Sequence, residues 1–478
     1  FHSIEYRTHI LNSFKIMPNS TPLLTSRLSI MMLLQFFVWG AWFATLGQCL
    51  GANDLSDFAG GAYGAAPLGA IFAPLFLGII ADRFFPSQKV MGFLFLIGAV
   101  FLLLIPSTAE AAAEWTGDPY ESNPKGNLMV WFMLGNMLTF MPTVALGNSI
   151  VFTHANILAL PKIRVWGTIG WIVAGLVVGF LGWTSDLNMF YLAGGASLLL
   201  GVYSFTLPNT PPPAKGEPID LRALFMVDAF KLFKRPAFLI FMVCSCLVCI
   251  PLAYYYGLAG NYLTNTGYTQ AASTMTIGQM SEIFFMLLIP FFFRKLGVKW
   301  MILIGMLAWV LRYLLFAYGA PDQVVWMILL GVALHGICFD FFFVTGFMYT
   351  DKIAPKSIRT QAQSLLVFFT QGIGLYIGYK VAYHEKTYGK VVDSYDKLND
   401  AISKEYAQET LSVTEKLGQM FSKNDLAKID PSIVGSAMDK WSQYWKFPAI
   451  MAGVIAVIFF LAFRDKISIT SDDENSSE

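Results

Sequence analysis

The chain has 478 residues, of which 56% are hydrophobic and only 13% charged, with 32 Lys and Arg against 31 Asp and Glu. A soluble domain is roughly one-quarter charged, so this composition excludes an ordinary soluble globule. The near-neutral balance gives no electrostatic footprint for nucleic acid. The apolar residues arrive in runs of about 20, the length that crosses a hydrocarbon core of about 30 Å. The expected fold class is therefore all-α integral membrane, with the lipid bilayer as its first partner. No phosphate-cradling glycine loop or metal-ligand spacing of the soluble-enzyme kind stands out. The chain reads as a non-enzyme without metal or organic cofactor.

In chain order, residues 1–27 read as a disordered N-terminal tail, of which the stretch before Met17 reads as a disordered or non-native extension. Twelve spans follow, near 28–50, 58–80, 88–106, 127–152, 164–184, 187–207, 237–260, 273–293, 299–318, 323–346, 362–383 and 446–463. The first run is too long for a signal-peptide core. Five cysteines, Cys49, Cys244, Cys246, Cys249 and Cys338, sit inside apolar runs, and an odd count there argues against a disulfide framework. Residues 208–236 open with PNTPPPAKGEP and continue as LRALFMVDAFKLFKR. They read as a cytoplasmic linker with an amphipathic helix between an N-terminal half, 28–207, and a C-terminal half, 237–463. Residues 384–445 are polar and helix-compatible and read as an extracytoplasmic insertion. Residues 464–478 form an acidic cytoplasmic tail.

Alternate loops are basic: Arg83 and Lys89; Lys162 and Arg164; Arg294, Lys295 and Lys299; Lys352, Lys356 and Arg359. The short loops of the other set carry Asp54, Asp57, Glu110, Glu114, Asp118 and Glu121, with Lys125 the exception. Basic loops stay inside, so both termini are expected in the cytoplasm of a bacterial cell, with the spans in its plasma membrane. Pro161-Lys162-Ile163-Arg164 and Pro355-Lys356-Ser357-Ile358-Arg359 occupy matching turns of the two halves. Such parallel six-helix repeats are the signature of the major facilitator architecture. Gly78, Asp82 and Arg83 match that architecture's G-x-x-x-D-R loop motif, in which the glycine permits close packing and the acid pairs with neighbouring helix ends.

Polar residues interrupt the apolar spans. Glu282 lies mid-span in TIGQMSEIFFMLLIPFFF, where a carboxylate costs roughly +2.5 to +3.5 kcal/mol to insert and marks a substrate or proton path. Gln279 shares its helical face. Arg164, Thr168 and Trp171, at i, i+4 and i+7, put a cation, a hydroxyl and an aromatic plate on one face. His335 and Phe339 share a face beside Asp340. Asn136, Asn148 and Gln371 add hydrogen-bonding groups. The set suits a neutral, polar, ring-bearing solute: amides and carboxylates read hydroxyls and ring edges, and aromatics stack on a flat ring. The blander readings are a neutral structural Glu282, an Asp340 paired with a buried cation, an Arg164 that only anchors the membrane face, and a packed His154. Arg312, in LAWVLRYLLF, would pair with an acid or snorkel to the interface.

LQFFVWGAWFATLG, IRVWGTIGW, QMSEIFFMLLIPFFFRKLGVK, AWVLRYLLFAYG and FDFF, in this order, resemble the nucleoside:proton symporter family. The resemblance runs from about residue 28 to 380 and again through the last span. It implies a monomeric proton-coupled nucleoside importer with protons as the coupling ion. It carries the substrate site to Arg164, Thr168, Trp171, Gln279, Glu282, His335 and Phe339, and proton coupling to Glu282 and Asp340. The family's seventh-helix Gln and Asn fall on Ala253 and Tyr256, with Asn261 near enough to compensate in a shifted helix. That departure keeps open a transporter of another neutral solute, such as a sugar or modified nucleoside. An enzyme or receptor built on 384–445 is the third reading, although the segment shows no triad or metal-ligand spacing.

Overall fold

The computed structural model describes residues 22–76, 80, 83–117, 122–155, 160–212, 220–355, 358–406 and 412–465. Gly78, Asp82, Asp118, Glu121, Lys356 and most of the expected acidic tail lie outside them; of the loop motif only Arg83 is described, partly buried. Among the described residues there is no β-strand, only an isolated antiparallel bridge between Tyr268 and Lys423.

The helices follow the apolar runs. They are α1 (Leu23–Ala52), α2 (Ala59–Phe76), α3 (Ser87–Ala113), α4 (Pro124–His154), α5 (Leu160–Leu181), α6 (Asn188–Ser204) and α7 (Pro236–Asn265). A continuous stretch, Ala271–Gly319, is broken at Gly297, whose φ of 69° is left-handed; α8 precedes the break and α9 follows it. α10 (Val325–Ile353), α11 (Gln361–Ala382) and α12 (Pro431–Ala462) complete the set. Among the described residues, ten of these segments are long and apolar enough to cross a bilayer; α2, described as far as Phe76, and α6 are apolar helices in the same bundle.

Two buried clusters mark two halves. One draws mainly on α1 to α6, with Ala253, Ala272 and Tyr379 from across the seam, and the other on the linker, α7 to α12 and the insertion. Within the halves, α1 packs on α5, α3 on α4 and α6, α7 on α11 and α12, and α9 on α12. Across the seam, α5 meets α8, α2 meets α11, and the end of α1 meets α7.

Several boundaries differ from the sequence reading. α1 begins at Leu23, before the expected 28, and α12 begins at Pro431, well before 446. The last part of the expected insertion is therefore the apolar start of α12, with Trp441 and Trp445 in the core. The linker is not one amphipathic helix. Met226 has a φ of 56°, which interrupts helical propagation. A single turn, Leu221–Leu224, capped by Asp220, precedes it, and a 3-10 segment, Ala229–Lys234, follows.

One end of the bundle is sealed. The Gly47 backbone comes so close to α7 that an added Cβ would stand 2.7 Å from the Gly257 carbonyl oxygen. Asn261 donates to the Gly47 carbonyl at 3.4 Å, Gln48 donates to Thr264, and Thr184 donates to Gln270 at 2.5 Å. Tyr63 stacks on Tyr379 and Tyr383, with centroids at 5.2 and 5.7 Å. The insertion lies over this end. Its helix Gly389–Glu405 packs on α12 and reaches Gly51 of the other half through Tyr395. Ser422 accepts from the Thr269 N–H at 3.2 Å and Asn399 accepts from Asn265 at 2.9 Å.

Asp396 of that helix sits partly buried among carboxylates. Burial first, then Asp400, Asp54, Asp393 and Asp57, push it from the ordinary 3.8 up to about 6. A raised carboxyl favours the docked form when protonated, so this contribution is complete below about 3.8 and is lost as pH rises through about 6. Hydrogen-exchange protection factors across 389–405 should rise as pH falls from about 7 to about 5, and Asp396→Asn should flatten that dependence. A second expectation concerns Gly47. Overpacking costs about 1–3 kcal/mol, which moves an open–closed balance by roughly tenfold or more. In a background with the other four cysteines replaced by serine, Gly47→Leu should speed maleimide labelling of the buried Cys49 by about that factor. An unchanged rate would mean that the seam is not sterically tight.

Candidate functional site

The site forms where α5 of one half faces α8 and α10 of the other. α5 carries Arg164, Thr168 and Trp171 on one face, as the spacing predicts. α8 presents Gln279 and Glu282, and α10 presents His335 and Phe339. The Thr168 hydroxyl donates to Glu282 Oε1 at 3.5 Å, a long contact across the seam. His335 Nε2 stands 3.9 Å from Glu282 Oε2. The Glu282 side chain is only 13% exposed, so its partners come from both halves rather than from bulk solvent.

Around this pair the walls are aromatic. The His335 ring stacks on Tyr255 at 5.5 Å, meets Tyr256 edge-on at 6.2 Å and lies 5.9 Å from Phe339. Trp171 meets Trp39 edge-on at 5.3 Å, and Trp39 in turn contacts Phe43 and Phe140. The Arg164 guanidinium stands 4.7 Å from the Phe36 ring centroid and within electrostatic reach of Glu282. A small cavity of about 10 Å³, room for about one water, lies next to Gln279, bordered by Trp171 and Gly175 on α5, Met275 and Thr276 on α8, and Gly40 on α1.

Access is graded along α5 and α8. Arg164 is exposed, Thr168, Trp171 and Glu282 are half-buried, and Gln279 is buried. Beyond them the helices close: a Cβ on Gly179 would overlap the Ser273 hydroxyl. α5 and α8 thus pack closely toward the insertion end.

Asp340 stands apart from the hydrogen-bonded pair. It is fully buried, neither carboxyl oxygen has a hydrogen-bond partner, and its electrostatic neighbour is Glu282. The expectation that it pairs with a buried cation is not met. It opens a π-helical stretch, Asp340–Val344. Asn136 donates to the Gly98 carbonyl at 3.1 Å and so ties α4 to α3 outside the site. His154 contacts Thr210 at 3.0 Å, also outside it. Asn148 is half-buried on α4, and Gln371 is half-buried within the π stretch Phe368–Gly374 of α11. Ala253 is buried against Gly378, and Asn261 serves the sealed end, so neither α7 residue supplies an amide beside Glu282; Tyr256 does reach the site, through His335. Arg312 neither pairs with an acid nor snorkels: it is fully buried, with its guanidinium over the Tyr255 ring.

Sequence reasoning missed the α1 wall. Gln35 donates to Thr143 at 3.2 Å and leaves its carbonyl unpartnered; Trp39 and Phe36 meet Trp171 and Arg164. The signal was the aromatic density of LQFFVWGAWF around one amide.

Comparison with known proteins agrees with this architecture. The model of the family described as "Nucleoside H+ symporter" matches residues 23–399. The chain is 36% identical over 453 residues to YegT of Escherichia coli, a candidate nucleoside transporter, covering 92% of this chain and 94% of that protein. It is 33% identical over 376 residues to the xanthosine permease of Escherichia coli, covering 74% and 85%. It is 32% identical over 388 residues to the nucleoside permease NupG of Escherichia coli, covering 77% and 88%. Two crystal structures of the nucleoside transporter NupG, one of them a single-site mutant, superpose with TM-scores of 0.68 and 0.71 at 27% and 26% identity. They cover 93% and 92% of this chain and 100% of the NupG chains. NupG has the major facilitator fold, and the chain shares it. These findings define a multi-pass membrane transporter rather than an enzyme: the chain belongs to the nucleoside:H+ symporter family.

Proposed function

We propose that this protein imports nucleosides together with protons by alternating access, with twelve spans and both termini in the cytoplasm of a bacterial cell. The observation that carries the reading is Glu282, a carboxylate between the two halves that meets Thr168 from one and His335 from the other. A group gripped from both halves changes partners when the halves rock, so its charge state biases which side is open. The nucleoside lies along this seam. Trp171 and Phe339 contact its rings, Gln279, Thr168 and His335 bind hydroxyls or base edges, and Tyr256 backs the pocket. Arg164 lines the entrance on the basic, cytoplasmic side.

Asp340 is the second proton-carrying group. A lone ionised carboxylate at membrane depth is costly, and none of its hydrogen-bonding capacity is used in this state. Protons taken up from outside are released inside. The protein works as a monomer with a small-molecule substrate.

The α7 departure favours a second reading, a related neutral solute such as a sugar or a modified nucleoside. Ala253 offers no hydrogen bond, and the Tyr256 ring takes space beside His335. A solute that fills that space less is the better fit under this alternative.

Proteoliposomes test both. Radiolabelled uridine should accumulate only with an inward proton gradient, and unlabelled nucleosides should compete while sugars should not. Competition by sugars alone would favour the second reading. Glu282→Gln, which loses a buried charged contact, and Asp340→Asn, which loses a protonatable group, should each cut gradient-driven accumulation by about tenfold or more. Asp340→Asn should keep uridine binding within about threefold, because its carboxylate touches no substrate-facing partner. Normal accumulation by Glu282→Gln would remove Glu282 from the coupling mechanism.

A further inference from the structure

Arg312 is the cation that the site does not use. It lies on α9, fully buried, and among the described residues no carboxylate pairs with it. Its Nε donates to the Gly331 carbonyl at 3.0 Å, while both terminal nitrogens lack hydrogen-bond partners. Its remaining compensation is aromatic: the guanidinium carbon stands 3.9 Å from the centroid of Tyr255. A desolvated cation over a ring is among the stronger contacts of this type.

Both contacts lead to one residue. Tyr255 is the ring on which His335 stacks, at 5.5 Å and 21° between planes. Gly331 lies about one helical turn before His335 in α10. Between them the α-helix is interrupted at Leu334. At such an interruption an acceptor is free for a side-chain donor. Arg312 therefore holds the plate beside the imidazole and the backbone turn that delivers it. On the remaining side, Gly278 lets His335 approach α8 closely: a Cβ there would stand 3.0 Å from that of His335. The imidazole is thus seated 3.9 Å from Glu282 by contacts that never touch the cavity.

We infer that Arg312 is a positioning residue for the substrate site: through Tyr255 and the Gly331 turn it fixes the His335 ring opposite Glu282. The inference rests on the placement of the nucleoside beside His335 and Glu282. It assigns specificity to a helix that contributes nothing to the cavity wall. A planar guanidinium suits the role because it stacks and bonds at once, which an ammonium does not.

The test is a double-mutant cycle on equilibrium binding of radiolabelled uridine to the full-length purified protein. Arg312→Met and Tyr255→Leu should each raise Kd by about tenfold, as loss of a desolvated stacking contact would. In a His335→Ala background, Arg312→Met should change Kd by less than about twofold, because the residue it positions is gone. If Arg312→Met does not fold, Arg312→Lys takes its place; it keeps the charge, loses the planar stack, and should still weaken binding in the wild-type background alone. An equal loss in both backgrounds, or no loss in either, overturns the role of Arg312 and leaves the site reading intact. An unchanged Kd in His335→Ala overturns both.

Discussion

A carboxylate inside a bilayer is costly wherever it stands, and the rest of this structure depends on how Glu282 is held between the halves. Its neighbours are divided between the halves: Thr168 donates from one, and His335 stands 3.9 Å away in the other. A group satisfied wholly within one half would be carried along unchanged by a rigid-body motion. A divided one is exchanged by it, so any ligand or proton that alters Glu282 has differential affinity for the two arrangements. The long 3.5 and 3.9 Å contacts fit a joint made to be broken.

The same division appears at the sealed end. Buried polar atoms there remain without partners, among them Gln48 Oε1, Asn261 Oδ1 and the Ser273 and Tyr379 hydroxyls. Most buried polar groups in folded proteins are paired. Here several of the unpaired ones line the seam, beside small residues that let backbones touch: Gly47 against Gly257 and Gly179 against Ser273. Close approach supplies dispersion contacts without interlocking side chains. Such a surface holds firmly when shut and separates without unthreading.

Fold and much of the site were legible in the sequence because membrane depth penalises every polar residue. Glu282, Gln279, Thr168, Arg164 and His335 announced themselves against apolar runs, and helical spacing set them on shared faces. The α1 wall was hidden for the opposite reason. Phe36 and Trp39 are apolar residues in an apolar helix, and only tertiary packing shows that they face Arg164 and Trp171. Asn136 was conspicuous but serves the α3–α4 contact, since an amide in a span answers equally to a neighbouring carbonyl. The early start of α12 was masked by its mixture of lysines with tryptophans, and the linker helix by a left-handed Met226 that no periodicity predicts.

The π-helical stretch that begins at Asp340 has a mechanical meaning. A π turn stores one surplus residue in an otherwise regular helix. Passing that surplus along α10 rotates the residues it crosses by about 100°, the angle of one α-helical step, without breaking the rod. α11 carries a matching stretch, Phe368–Gly374. Two helices of the same half are thus built with a swivel at membrane depth. The side chain with the most to gain from turning is Asp340, which sits at the pivot with both oxygens unanswered.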